Sequence, residues 1–318
     1  MHLLAAPDKF RGTLTAREAA AAIAAGALRA GWTGVELPLA DGGEGTLDVL
    51  GGGNRRATVT GPLGEPVEAE WRLEEDGTAL IEAALACGVS LAGGPEGNDP
   101  LAATSRGVGE LVAAAVAEGA SRVVVAVGGV ASTDGGVGAV EALPLPLAVP
   151  LDVACDVEAR FLDAADVFAP QKGATPEQVT ILRERLAALD VPDLPGSGAA
   201  GGLAGGLAAV GARLLPGFDF VSGRLGLDAR LADADLVVTG EGRLDATSFA
   251  GKVVGRVLER AAGTGLETLV VAGEVAAQDG IDAISLVERY GPERALVEAA
   301  ACLTELVATA LATRRNRP

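Results

Sequence analysis

Short apolar runs alternate with longer helical patterns at both ends of the chain. Residues 3–6 and 35–40 are predicted as strands, and Thr15 with Glu18 forms a capping box that starts a helix between them. From residue 231 onward the alternation of strand and helix returns. This pattern is typical of parallel βα units, so we predict that the two ends of the chain share one sheet.

The middle of the chain has a different pattern. Residues 58–71 alternate apolar and polar side chains around a glycine-proline turn, which predicts a hairpin that residues 79–82 extend. Residues 104–119 are predicted as a helix and residues 123–127 as a strand. Residues 143–153 contain three prolines, so we expect an extended connection or an edge there rather than a central strand.

These patterns together predict an α/β fold of two domains. A discontinuous Rossmann-like three-layer domain would comprise residues 1–55 and 230–318, and an inserted mixed α/β domain would comprise residues 56–229. The site is expected in the cleft between the two domains.

Composition and charge narrow the function classes. The net charge of −18 argues against nucleic-acid and acidic-membrane partners. Residues 196–212, the longest nearly apolar stretch, are too few and too rich in glycine to cross a bilayer. Residues 1–9 lack a signal-peptide pattern, and three widely spaced cysteines favour a reduced cytoplasm. We expect a cytoplasmic protein, with monomer and homodimer both left open.

A single histidine excludes several mechanisms. His2 stands at the amino end, so a Ser-His-Asp triad, a His-ligated zinc and the protein-kinase catalytic loop are unavailable. Proton transfer would therefore fall to a carboxylate or another group. Only three of the 25 basic residues are lysines, and Lys9, Lys172 and Lys252 all lie beside glycine or proline turns, where an ammonium could bind a phosphate.

Three turns carry the candidate chemistry. Residues 37–45, 123–136 and 236–245 each lead from an apolar run into glycines flanked by carboxylates. Glycine lets backbone amides approach an anion, and carboxylates can hold Mg²⁺. We therefore predict a phosphate and metal site. Residues 196–201 match G-x-G-x-x-G, but no strand precedes them, which disfavours a dinucleotide-binding oxidoreductase.

An ordered series of motifs covers residues 5 to 255. The series is APDKFRG (6–12), LADGGEGT (39–46), TSRGVGE (104–110), GGVASTDGG (128–136), ACDV (154–157), PQKGA (170–174), GAAGG (198–202), VTGEGRLD (238–245) and GK (251–252). Through this series the chain resembles the glycerate kinase type 1 family. The sequence departs from the family pattern at Val130, where the family usually has serine, and after Gly136, where a segment is shortened.

The resemblance implies ATP- and Mg²⁺-dependent phosphorylation of D-glycerate, usually to 2-phosphoglycerate, with a carboxylate as base. The alternatives are a kinase of another short hydroxy acid and a non-catalytic relative that binds a nucleotide or an acid. A small-molecule substrate is the only partner expected.

Candidate roles follow the motifs. The predicted catalytic residues are Asp134, Asp156, Lys9 and Asp8. The predicted substrate-binding residues are Arg11, Ser105, Arg106, Ser132 and Thr133. The predicted cofactor-binding residues are Gly128, Gly129, Gly135, Gly136, Gln171, Lys172, Gly198, Glu241 and Lys252, and the predicted metal ligands are Asp41, Glu44 and Asp245. Structural alternatives remain open, since Asp41 could cap a helix, Asp134 could stabilise a turn and Asp156 could cap a strand end.

Overall fold

A computed structural model describes residues 1–10, 12–249, 251–276 and 283–315. The strands are β1 (His2–Ala5), β2 (Thr33–Glu36), β3 (Arg55–Thr60), β4 (Pro66–Leu73), β5 (Thr78–Glu82), β6 (Arg122–Ala126), β7 (Leu151–Cys155), β8 (Arg213–Pro216), β9 (Leu236–Leu244), β10 (Glu267–Val275) and β11 (Ala283–Ser285). The helices are α1 (Ala16–Arg29), α2 (Thr46–Val49), α3 (Ala84–Cys87), α4 (Arg106–Ala117), α5 (Val137–Ala142), α6 (Ala164–Phe168), α7 (Pro176–Ala187), α8 (Leu203–Ala209), α9 (Gly217–Leu225), α10 (Leu227–Ala232), α11 (Val253–Thr264), α12 (Leu286–Tyr290), α13 (Pro292–Val297) and α14 (Ala299–Arg315). None of the helices in these described ranges combines the length and the apolar character needed to cross a bilayer.

The chain forms two compact units. The five-stranded unit comprises Met1–Asp41 and Val221–Pro318, and the six-stranded unit comprises Gly42–Phe220.

The sheet of the five-stranded unit has the order β11-β10-β9-β1-β2, and every neighbouring pair is parallel. Strands from both ends of the chain therefore share one sheet, as the alternating pattern predicted. The capping box of Thr15 and Glu18 is present at the start of α1, which packs on α14. Leu3 and Val238 of the sheet and Ile23 of α1 belong to one buried apolar cluster.

The sheet of the six-stranded unit has the order β3-β4-β5-β6-β7-β8. The first two pairings are antiparallel and the other three are parallel, so the predicted hairpin and its extension by residues 79–82 are confirmed. The indole of Trp71 on β4 is fully buried in the core. The α/β class is thus confirmed, with one fully parallel and one mixed sheet.

The prediction that residues 143–153 form only an edge or a connection is wrong for their last part. Residues 151–155 form β7, which pairs with β6 on one side and β8 on the other. The prolines all precede the strand, so they remove no hydrogen-bond donor from its ladder. The buried carboxylate of Asp152 also binds Arg122 on β6 and Arg213 on β8, which ties the three strands together.

Close helix packing in the six-stranded unit depends on glycine. Helix α4 lies so near α5 that a Cβ atom on Gly109 would stand 2.1 Å from the carbonyl oxygen of Ala139. Gly263 in α11, a helix of the five-stranded unit, is free of this constraint, because a Cβ atom there would meet nothing within 4 Å.

We therefore predict opposite effects for two alanine substitutions. Gly109→Ala should lower the free energy of unfolding by about 1–3 kcal/mol, because α4 and α5 must separate. Gly263→Ala should raise it by about 0.5–1 kcal/mol, because alanine restricts the unfolded chain and favours the helix. Thermal unfolding of the two variants beside the parent protein measures both effects, and equal midpoints for the two would contradict the packing argument.

Candidate active site

One buried and two half-buried carboxylates gather where the segment after β1 runs along β9 in the five-stranded unit. The amide N–H of Asp8 donates to the Gly240 carbonyl over 2.9 Å, so the segment after β1 runs along β9. This brings Asp8, only 8 % exposed, close enough to Glu241 and Asp41 for their charges to interact. Glycine is required at position 240, since a Cβ atom there would lie 2.0 Å from the Val271 carbonyl oxygen on β10.

The electrostatics of this group favour the neutral forms of Asp8 and Glu241. Burial raises the pKa of Asp8 to about 7; the Lys9 ammonium opposes that shift, and the charges of Asp41 and Glu241 add to it. Burial likewise raises the pKa of Glu241, against a hydrogen bond from Ser248. The Oε1 atom of Glu241 is buried and has no hydrogen-bond partner. A cation at this position would relieve both the repulsion and the unpaired oxygen.

These carboxylates fit a magnesium ion held mainly by a nucleotide. Within the described ranges, no group of three or more His, Cys, Asp or Glu residues has the geometry of a metal centre. Mg²⁺ bound to a nucleotide needs only one or two carboxylates, because phosphate oxygens and water complete its shell. Asp41 and the unpaired oxygen of Glu241 meet that smaller requirement.

Asp245 and Lys252 build the turn that follows β9. The carboxylate of Asp245 accepts hydrogen bonds from the amide and the hydroxyl of Thr247, at 2.8 and 2.6 Å, and these bonds lower its pKa. The Lys252 ammonium donates to the same hydroxyl over 2.8 Å. This geometry supports a turn-forming role for Asp245, and its predicted metal ligation remains a prediction. Arg11, predicted to bind substrate, lies outside the described residues.

In the six-stranded unit, two of the predicted glycine turns touch each other. A Cβ atom on Gly128 would lie 2.5 Å from the Cα atom of Gly43, so the loop that carries Glu44 packs on the turn after β6. The buried carboxylate of Glu82 holds this loop, accepting from the amides of Gly45 and Leu47 at 3.0 and 2.9 Å. Gly45 occupies the N-cap position of α2, so Asp41 does not cap that helix.

Asp134 connects the turn after β6 to the start of α4. Its Oδ2 atom accepts hydrogen bonds from the amide and the hydroxyl of Ser105, at 2.9 and 2.8 Å, and from the amide of Gly138 at 3.2 Å. Its Oδ1 atom accepts from the amide of Gly136 over 3.1 Å. Four donors therefore occupy this carboxylate, which supports an anchoring role over that of a base.

Asp156 has a similar arrangement at the end of β7. Its two oxygens accept from the amides of Gly217 and Phe218, at 2.8 and 2.6 Å, at the start of α9. The strand-end alternative for Asp156 is the one that this geometry supports.

A buried ammonium lies beside the same turn. Lys172, 7 % exposed, donates through Nζ to the Ser132 carbonyl over 2.5 Å. Burial lowers the pKa of Lys172 to about 8, and the negative charge of Asp134 opposes that shift. Gly201 allows this approach, because a Cβ atom there would stand 2.3 Å from the Ser132 carbonyl oxygen and 2.8 Å from Nζ. Ser132 and Thr133 are fully buried, and neither hydroxyl has a hydrogen-bond partner.

The other predicted residues of this unit occupy nearby positions. Ser105 is the N-cap of α4, and its hydroxyl accepts from the amide of Ala139. Arg106, half exposed, pairs with Glu110 on the same helix. The remaining predicted residues lie in short connecting segments. Gly129, Gly135 and Gly136 belong to the turn after β6, Gln171 lies in a short 3₁₀ helix, and Gly198 packs against the Arg160 carbonyl.

A cavity of about 210 Å³ opens beside Thr133 and Asp134. Its other walls are largely apolar and include Leu182, Leu186 and the aliphatic part of Arg185. A second cavity, of about 440 Å³, is lined by His2, Arg230 and their neighbours and contains none of the predicted site residues. We therefore take the smaller cavity as the candidate ligand site, because it lies beside the polar turn.

Sequence reasoning missed two residues of this site. Glu82 had a visible signal, an acid directly after a short apolar strand, like those in the three turns that were singled out. Asn98 had none: its side chain donates to the carbonyls of Ala131 and Lys172, at 3.2 and 2.9 Å, from a turn without a regular pattern.

Glycine turns with carboxylates at strand ends are typical of α/β proteins that bind phosphates. A buried lysine contacts one of these turns here. The model of the glycerate kinase family matches residues 3–148 and 145–314. The chain is 36 % identical to glycerate 2-kinase of Escherichia coli K12, over 89 % of this chain and 90 % of the relative, and 42 % identical to an uncharacterized protein of Mycobacterium bovis, over 99 % and 92 %. A crystal structure of a putative glycerate kinase 2 from Salmonella typhimurium LT2 matches 99 % of this chain and 98 % of that one, with a TM-score of 0.80 and 34 % identity. The chain belongs to the glycerate kinase family.

The raised pKa of Asp8 predicts a pH-dependent stability. The folded protein holds a proton on Asp8 up to about pH 7, whereas the unfolded chain loses it near pH 4, so this group lowers the free energy of unfolding as the pH rises from 4 to 7. Asn cannot ionise. The free energy of unfolding of Asp8→Asn should therefore exceed that of the parent protein by roughly 2–4 kcal/mol at pH 8, and the two values should be equal near pH 4.

Denaturant unfolding without nucleotide or magnesium, at several pH values, measures this difference. The exposed Asp190, in the other unit, provides the control, and Asp190→Asn should follow the parent protein at each pH. A constant difference between Asp8→Asn and the parent from pH 4 to 8 would contradict the assignment.

Proposed function

We propose that this protein is an ATP-dependent kinase that phosphorylates D-glycerate to 2-phosphoglycerate with Mg²⁺. The observation that carries the proposal is the 36 % identity with a glycerate 2-kinase over nine-tenths of each chain. The buried lysine, the glycine turns and the acidic group support it, because phosphoryl transfer needs charge neutralisation and positioning more than covalent chemistry. A kinase of another short hydroxy acid, or a non-catalytic relative that binds nucleotide or acid, is the alternative.

We assign the metal to Asp41 and Glu241, and Glu44, three residues after Asp41 in the chain, remains a further predicted ligand. When bound there, Mg²⁺ would neutralise the phosphate oxygens of ATP. Lys9 and Lys172 would bind phosphate or carboxylate oxygens, and Ser132 and Thr133 would donate hydrogen bonds to the acceptor.

The base is assigned to Asp8. Both oxygens of Asp134 and of Asp156 already accept hydrogen bonds from backbone amides, so a proton on either would break a loop contact. Asp8 is a buried carboxyl, and we propose that it takes the proton of the acceptor hydroxyl as the new O–P bond forms and the bond from the γ-phosphorus to the bridging oxygen breaks, releasing ADP.

We further propose that the five-stranded unit corresponds to the predicted Rossmann-like domain and the six-stranded unit to the inserted α/β domain. The chain order supports this, since the five-stranded unit is built from both ends of the chain. A cytoplasmic location is part of the same proposal.

The direct test is turnover. Incubation with ATP, Mg²⁺ and D-glycerate should release ADP, and phosphorus NMR should identify the product as 2-phosphoglycerate. Omission of Mg²⁺ should abolish the reaction. Binding of ATP without ADP release would favour the non-catalytic alternative, whereas turnover of a different hydroxy acid alone would favour the other kinase.

Two variants separate the base from the anchor. Asp8→Asn should lower kcat by roughly 10²- to 10⁴-fold without loss of stability, because only the proton acceptor is removed. Asp134→Asn should lower the unfolding midpoint, because its amide would face backbone N–H donors, at a cost of about 1–3 kcal/mol. Steady-state kinetics and thermal unfolding are measured on both. If Asp134→Asn kept the stability of the parent protein but had no turnover, Asp134 rather than Asp8 would be the base.

A further inference from the structure

Buried polar atoms without a partner cluster at one place in the six-stranded unit. Seven such side-chain atoms occur in the described ranges, and three of them are Asn98 Oδ1, Ser132 Oγ and Thr133 Oγ1. Buried polar groups are almost always paired in folded proteins, so a cluster of exceptions indicates a missing polar ligand.

A single network of contacts joins these three residues. The side-chain amide of Asn98 donates to the Ala131 carbonyl at 3.2 Å and to the Lys172 carbonyl at 2.9 Å. Lys172 in turn donates to the Ser132 carbonyl, and Thr133 is the next residue along the chain. The two carbonyls that accept from Nδ2 fix the orientation of the Asn98 amide, so its oxygen is the atom left without a partner.

The chemistry of the cluster is mixed. The hydroxyls of Ser132 and Thr133 and the ammonium of Lys172 can all donate, which suits a carboxylate. The oxygen of Asn98 can only accept, so it would repel a carboxylate or phosphate oxygen and needs a donor such as a hydroxyl. A ligand that carries both a carboxylate and a hydroxyl satisfies both requirements, and a simple oxyanion does not.

We propose that Asn98 is a specificity-determining residue whose Oδ1 accepts a hydrogen bond from a hydroxyl of the substrate, while Ser132, Thr133 and Lys172 bind its carboxylate. This inference rests on the proposed function and deepens it, because it states how a hydroxy acid is distinguished from a plain acid. Loss of a hydrogen bond to a buried group corresponds to roughly a ten- to hundred-fold loss of affinity.

The test is calorimetric binding in the presence of Mg²⁺ and ADP, which permits binding without turnover. D-glycerate is compared with D-lactate, which lacks the 3-hydroxyl, and with 3-hydroxypropionate, which lacks the 2-hydroxyl. The parent protein should bind one of these two analogues ten- to hundred-fold more weakly than D-glycerate. The affinity of Asn98→Ala for D-glycerate should fall by the same factor, and its affinity for the weaker analogue should equal that of the parent protein. The hydroxyl that the weaker analogue lacks is then the one that Asn98 binds.

Asn54 provides a matched control in the same unit. Its side chain also bridges backbone groups, donating to the carbonyl of Leu73 and accepting from its amide, but both of its polar atoms are paired. Asn54→Ala should therefore bind all three acids as the parent protein does.

Several outcomes would overturn the inference. If Asn98→Ala lost affinity for all three acids by the same factor, the role of Asn98 would be purely structural, with ordered water as the partner of Oδ1. Equal binding of the three acids by the parent protein would overturn it even if Asn98→Ala failed to fold. The expected binding pattern without ADP release in the turnover assay would instead contradict the kinase proposal and leave this inference intact.

Discussion

The site in the six-stranded unit depends on carboxylates that pair with the backbone amides of glycine turns. Glu82, Asp134 and Asp156 stand at or after the carboxyl ends of three adjacent strands, β5, β6 and β7. Glu82 and Asp156 each accept two amide hydrogen bonds from a segment distant in sequence. Asp134 accepts one from the distant Ser105 and others from amides of its own turn. Charged acceptors form stronger hydrogen bonds than neutral ones, so these loops are held in place by the protein itself.

That arrangement separates the side chains that build the site from those available to a ligand. The oxygens of Asp134 are filled by donors, whereas the hydroxyls of Ser132 and Thr133, next to it in the chain, are buried without partners. Lys172 adds a positive charge to the same turn, and burial lowers its pKa. In the five-stranded unit, Glu241 has the corresponding unpaired oxygen, beside Asp8 and Asp41.

Local patterns predicted much of the fold. The capping box at Thr15, the hairpin and the parallel strands at both ends follow from neighbouring residues, and all are present. Strand β7 was missed because the prolines before it obscured a short apolar run, although they lie outside its ladder. Arginines on both neighbouring strands that pair with Asp152 explain why this segment is central, and no local pattern contains that information.

The sequence by itself determined the class of fold and the family, and it predicted the segments in which we place the chemistry, because periodicity and ordered motifs are properties of neighbouring residues. Only the tertiary structure decided which side chains are already paired. Asp134 meets Ser105 across 29 positions, and Lys172 meets Ser132 across 40. A carboxylate that could be a base and one that anchors a loop look alike in sequence, since their hydrogen-bond donors come from distant segments.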